Sequence, residues 1–181
     1  MQPRGPLMIE HRLIERMVEV LRRKIADIDA GGGLSSPFVD GAADFIRTYA
    51  DRTHHGKEED ILFRELSKKE LSEADARTMD ELVQEHVLGR QLTSHLVEAE
   101  KDYSQGDNAA LRRARDAMQA LVDFYPQHIA KEDDNFFPAA MGYLTDEEQQ
   151  EMLDEFREFD RAMIHEKYRA VAEDFESTAP A

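Results

Sequence analysis

The 181-residue sequence contains no cysteine, which excludes disulfides, thiolate zinc sites and iron–sulfur ligation. Any metal must therefore be held by histidine nitrogen and carboxylate oxygen. The absence also fits a reducing compartment. Long hydrophobic runs are missing as well. No apolar stretch approaches the ~18 residues of a membrane span, and Met1 to His11 has no apolar segment of the signal-peptide kind. The expectation is a soluble cytoplasmic protein with no membrane partner. Positive charge is scarce: 23 basic residues stand against 39 acidic ones, a formal net charge of −16. Such a surface repels phosphate backbones, so nucleic acid is not an expected partner. It attracts cations, although acidity alone more often serves solubility. Alternating strand patterns are absent too.

What is present is helical periodicity, nearly throughout. The length suits one domain able to bury a core without covalent staples. Helix one is predicted from about Leu7 to Asp29, with His11, Ile14, Val18, Leu21, Ile25 and Ile28 on one stripe, ending at Gly31-Gly32-Gly33. Ser36 with Pro37 opens helix two, which runs to about Leu66. Ser72 and Asp75 form a variant capping box for helix three, reaching about Tyr103 with Met79, Val83, His86, Arg90, Thr93 and Val97 on its stripe. Asp107 is the expected cap of helix four, which carries Ala114, Ala117, Leu121, Phe124, His128 and Glu132 until Pro138 and Gly142 stop it. Pro126 should bend that helix. Thr145 and Glu148 box the start of a fifth helix, with Met152, Phe156, Phe159 and Met163 on one side. Short connections favour antiparallel neighbours. The fold class is all-α: an up-down four-helix bundle over residues 1–143, with an additional C-terminal helix and short tail over 144–181.

Four of the seven histidines behave alike. His11, His54, His86 and His128 fall on four different predicted helices, facing inward. One buried histidine is more often a satisfied core residue than a ligand. Four together would make an expensive core, at roughly 1–3 kcal/mol for each unpartnered polar group. Shared metal binding accounts for all four. His54 and Glu58 are four apart, as are His128 and Glu132, and such side chains lie one above the other on a helix, able to grip one ion or bridge two. The two segments also match as units, each running His, then Lys-acid-acid, then an aromatic nine residues after the His. Nitrogen and oxygen ligands suit iron, manganese or zinc, and paired carboxylates favour two ions.

On Glu10-His11, the His54 segment with Leu62-Phe63, Glu85-His86, and His128 to Pro138, the chain resembles the hemerythrin-like, or HHE cation-binding, domain family from about Met8 to Tyr143. The resemblance implies His11, His54, Glu58, His86, His128 and Glu132 as ligands of two non-haem iron ions. It implies that the two glutamates bridge them, together with an oxo or hydroxo group. Oxygen carriers of the family place a second histidine four residues after the first on the third helix; here that position is Arg90. His55, turned about 100° from His54 on an α-helix, is expected to be exposed or to lie outside the ligand shell. Which of His55, Glu59, Arg90 and Asp133 completes the site is left open, while Lys57, Lys131, His95 and His165 are expected to reach solvent.

The function implied is binding or sensing of dioxygen, nitric oxide or iron. The alternative is a di-iron redox enzyme acting on peroxide or nitric oxide, or supplying iron for cluster repair. A metal-free helical adaptor is the third reading. The fifth helix is the candidate contact for a homodimer or a protein partner.

Overall fold

The computed structural model describes the backbone of residues 1–178 and the side chains of residues 1–169. The expected tail, residues 179–181, lies outside them. Five helical rods make up the described chain: α1 (Arg4–Asp29), α2 (residues 36–66), α3 (Glu73–Ser104), α4 (residues 110–141) and α5 (Asp146–Thr178). Their ends follow the local chemistry. Gly31, at φ +94°, turns the chain out of α1 at an angle that L side chains rarely adopt. Ser72 Oγ accepts from the Asp75 N–H at 3.1 Å. At the start of α5 the capping box is reciprocal, with Glu148 N–H to Thr145 Oγ1 at 3.2 Å and Thr145 N–H to Glu148 Oε2 at 2.9 Å.

Helices α1 to α4 pack as a closed ring of neighbours, and α5 lies across the α2 side. Asp107 does not cap α4 directly. Its carboxylate accepts from Ala109 N–H in the preceding turn, and the helix starts at Ala110. Nor does Pro138 stop α4, which runs on to Met141 before Gly142 ends it. Proline is tolerated at the start of a helical segment because its missing N–H is not needed there. The rod is continuous through Pro126 as well.

Two rods are not α-helical throughout. Phe45–His55 and Glu58–Phe63 in α2, and Glu132–Phe136 in α4, carry the wider i→i+5 hydrogen-bonding pattern of a π-helix. In both rods a π-turn opens at the glutamate of the His-x-x-x-Glu pair. Such turns concentrate where backbone is shaped for function.

Apolar packing brackets one polar layer. An inner-end cluster contains Ile14, Val18, Leu21, Ile46, Leu96 and Leu121. The opposite cluster contains Leu7, Leu62, Leu82, Phe136, Met152 and Phe156. Along every rod of the ring, the buried histidine falls between a residue of one cluster and a residue of the other.

Candidate metal centre

Each rod of the ring delivers an imidazole to that layer: His11 from α1, His54 from α2, His86 from α3 and His128 from α4, none more than 2% exposed. Glu58 and Glu132 join them with no exposure at all. The six residues named from the sequence therefore meet, and two groups form: His11, His54, Glu58 and Glu132 in one, and His86 and His128 with a further residue, His55, in the other.

The two carboxylates reach toward both groups. Glu58 sets Oε1 3.4 Å from His54 Nε2 and Oε2 3.3 Å from His86 Nε2. Glu132 sets Oε2 3.2 Å from His11 Nε2 and Oε1 3.4 Å from His128 Nε2. None of these four oxygens has a hydrogen-bond partner, nor do Nε2 of His86, Nε2 of His128 or either nitrogen of His55. Among the described residues these eight are all the buried side-chain polar atoms left without one. Unpaired groups of this kind cost about 1–3 kcal/mol each, and here they converge on one small volume. A pair of cations fits them.

What fixes the imidazoles is a second ring of carboxylates. His11 Nδ1 lies 2.7 Å from Asp133, His54 Nδ1 2.9 Å from Glu10, His86 Nδ1 2.7 Å from Glu59 and His128 Nδ1 2.8 Å from Glu85. In every case the acid comes from the preceding rod, with α4 serving α1. An ionised carboxylate only accepts, so Nδ1 carries the proton and Nε2 turns inward. One consequence is visible between His11 and His54, whose Nε2 atoms approach to 2.8 Å. Two lone pairs repel at that distance unless a proton or a cation lies between them.

The electrostatics of the metal-free protein agree. Burial opposes a charge on His11, but the Asp133 and Glu132 carboxylates prevail and raise its pKa to about 10. Burial likewise opposes a charge on His86, and Glu132, Glu58 and Glu59 raise it to about 11. Against its own burial, Glu132 is held well below the ordinary carboxylate range by His128, His11 and His86. Protons thus occupy the charge balance that cations would take over. His55 is the exception: burial first, and then the electrostatic influence of His86, His54, His128 and Arg90, push its pKa well down.

Two expectations are corrected. His55 is not exposed; it is 2% accessible, and its ring stacks on that of His86 at 3.9 Å. The wider π-turn over Phe45–His55 rotates successive residues by less than an α-helix does, so His54 and His55 both face inward. The adjacent pair of histidines was the only sequence signal for this. Lys57 does not reach solvent either. It is fully buried, donating to Glu10 and, at 2.6 Å, to Asp160 of α5. Lys131 is half-buried against Glu85 at 2.5 Å, whereas His95 and His165 are exposed as expected. Arg90 is partly exposed and donates to Asp51 at 2.7 Å and Glu59 at 2.8 Å.

Fold and site together define a helical-bundle protein built to hold cations between its rods. The Hemerythrin HHE cation binding domain model matches residues 5–140, and the chain belongs to that family. Among curated proteins it is 26% identical over 153 residues to Uncharacterized protein Rv1995 of Mycobacterium tuberculosis (strain ATCC 25618 / H37Rv) and to Uncharacterized protein Mb2018 of Mycobacterium bovis. Each alignment covers 84% of this chain and 58% of the relative, so the chain spans little more than half the length of these proteins. No solved structure matches. No helix among the described residues is long and apolar enough to cross a membrane.

Proposed function

We propose that the chain is a non-haem di-iron protein of the cytoplasm that binds or senses a small diatomic ligand, dioxygen or nitric oxide, inside its bundle. The observation that carries this reading is the convergence of orphaned atoms: Glu58 sets one oxygen near His54 and the other near His86, and Glu132 one near His11 and the other near His128. In this assignment His11, His54, His86, His128, Glu58 and Glu132 would hold the irons. In this reading residues 1–143 are the metal-binding bundle and 144–181 the C-terminal helix and short tail, of which residues 179–181 lie outside the described residues. When bound, two irons supply a redox change and an open coordination position.

The chain's own residues do the rest. Outer carboxylates hold each Nδ1–H and so aim each Nε2. The rings of Phe137, Phe63 and Phe124 stack against His11, His86 and His128 and keep bulk water away. A cavity of about 150 Å³, lined by Asp51, Arg90, Thr93 and Tyr125 among others, reaches His55. That is room for a few small molecules at ~30 Å³ each. Exposed Ile164 and Tyr168 on α5 support contact with a second copy or another protein.

The purified protein is expected to hold about two irons per chain when loaded under anaerobic conditions, in keeping with two separate ligand groups. His54→Ala and His128→Ala should each lose at least one; full iron content in both variants would defeat the ligand assignment. Anaerobic reduction followed by dioxygen or nitric oxide, followed by absorption spectroscopy, tests the function itself. A stable, reversible adduct is the expected result. Rapid oxidation with no adduct would instead assign redox turnover, of peroxide or nitric oxide.

A further inference from the structure

The orphaned histidine on α2 has a role that the six-residue ligand set leaves unassigned. His55 is only 2% accessible, and neither ring nitrogen has a hydrogen-bond partner. Its ring stacks on His86 with centroids 3.9 Å apart and planes 8° from parallel, and meets His128 edge-on at 5.5 Å. Nitrogens of His55, His86 and His128 all fall within 4.8 Å of one another. A core imidazole normally spends its N–H on a neighbour. This one does not.

The surroundings repeat, in looser form, what the other four imidazoles show. His55 Nδ1 faces Asp51 Oδ1 at 3.5 Å, one helical turn back. That distance is too long for a hydrogen bond, but it lies on the same side of the ring as the carboxylate partners of His11, His54, His86 and His128. Arg90 holds that carboxylate, donating through Nε to Asp51 Oδ1 at 2.7 Å and through Nη2 to Glu59 Oε1 at 2.8 Å. Glu59 is the carboxylate that orients His86. One guanidinium therefore ties together the acid facing His55 and the acid that holds His86.

We propose that His55 is a metal ligand, completing a three-imidazole set with His86 and His128, and that Arg90 is a positioning residue that sets Asp51 and Glu59 behind two of those rings. The proposal rests on the di-metal reading and deepens it. The third imidazole of this set comes from α2, adjacent to a ligand of the other ion, and position 90 on α3 supplies a clamp where oxygen carriers of the family supply a histidine. The centre is then divided as three imidazoles for one ion and two, His11 and His54, for the other, with both glutamates shared.

Metal binding is read with ferrous iron under anaerobic conditions, by iron content and chelator competition, and independently with cobalt(II), whose ligand-field bands report coordination number. His55→Ala and the larger His55→Leu should each lose one ion per chain or weaken it at least about 100-fold, while helicity by circular dichroism stays unchanged. Added imidazole should restore the cobalt spectrum of His55→Ala, a rescue that a merely structural role would not give. Arg90→Gln should weaken the same ion about 10- to 100-fold, the usual range for groups that orient ligands. In the His55→Ala background, Arg90→His should recover binding. Unchanged content, affinity and cobalt bands in both His55 variants, with His86→Ala losing its ion, would overturn the role of His55. If His86→Ala and His128→Ala also kept full metal, the di-metal reading itself would fall. Should His55→Ala and His55→Leu both misfold, His55→Gln, which keeps polarity and volume, decides: two ions at wild-type affinity and unchanged cobalt bands would overturn the role.

Discussion

Protons and cations compete for the same atoms, and His11 and His86 decide the terms. Their pKa values of about 10 and 11 in the metal-free protein mean that both are charged at neutral pH. Each ion that binds near them must expel about one proton. Apparent affinity should therefore rise about tenfold per pH unit per ion as pH increases through neutrality. An indicator dye should register the released protons when zinc or ferrous iron is added near pH 7; metal uptake with no release would contradict the assignment. The metal-free fold has the opposite dependence. An unfolded imidazole loses its proton near 6.5, so the stabilisation from His11 and His86 is complete below that pH and disappears as pH climbs toward 10 to 11. Glu132, with its depressed pKa, contributes fully above about 4.5 and loses that contribution as pH falls through its folded value. His55, whose pKa is pushed well down, costs stability as pH falls below about 6.5, so denaturant midpoints of the metal-free protein should be highest near pH 6 to 7 and fall on both sides.

The helix α5 is tied to the centre by a short chain of contacts rather than merely lying on the bundle. Asp160 accepts from Lys57, Lys57 donates also to Glu10, and Glu10 accepts from His54 Nδ1. The backbone of α2 comes close enough for this because residue 56 is glycine: a Cβ there would meet the Phe159 ring at 2.8 Å. Further pairs, Arg64 to Glu155 at 2.8 Å and Lys69 to Glu148 at 2.5 Å, lie along the same seam, but they are exposed enough to contribute little. Asp160→Asn should cost about 1–3 kcal/mol in chemical denaturation, because a buried ammonium loses one of its two anionic partners. The same change should loosen Glu10 and lower metal affinity on the His11–His54 side. An Asp160→Asn variant with unaltered stability and unaltered affinity would show that α5 caps the bundle without acting on it. The two-fold repeat of π-turns belongs to this scale also. Which acceptor an N–H chooses, four or five residues back, depends on how the rod packs, and neither the His54 segment nor the His128 segment displays that choice in its residue types.

Across the whole bundle, four rods are linked in a ring by imidazole–carboxylate pairs, each pair joining one helix to the next. The unsatisfied atoms all lie inside that ring. Binding to the folded state alone therefore stabilises the fold by mass action, by about 2.7 kcal/mol per ion at a hundred times its dissociation constant. For a chain of this size each kcal/mol is worth about 2–4 °C. Chelation should lower the calorimetric Tm by at least about 5 °C, and readdition should restore it; an indifferent Tm would mean that the ions do not bind where the orphaned atoms converge.

Periodicity, caps and residue chemistry were enough to determine five helices, an all-α class and six of the residues that meet at the centre. Those features are local: a stripe repeats every three to four residues, a capping box spans four, and a His-x-x-x-Glu pair shares one face. The inward turn of His55, the burial of Lys57 under α5 and the clamp from Arg90 to Asp51 and Glu59 were decided only in the tertiary structure. Each depends on a contact between rods, or on a backbone turn that packing widened, and a linear order of residues does not carry the distance between two helices.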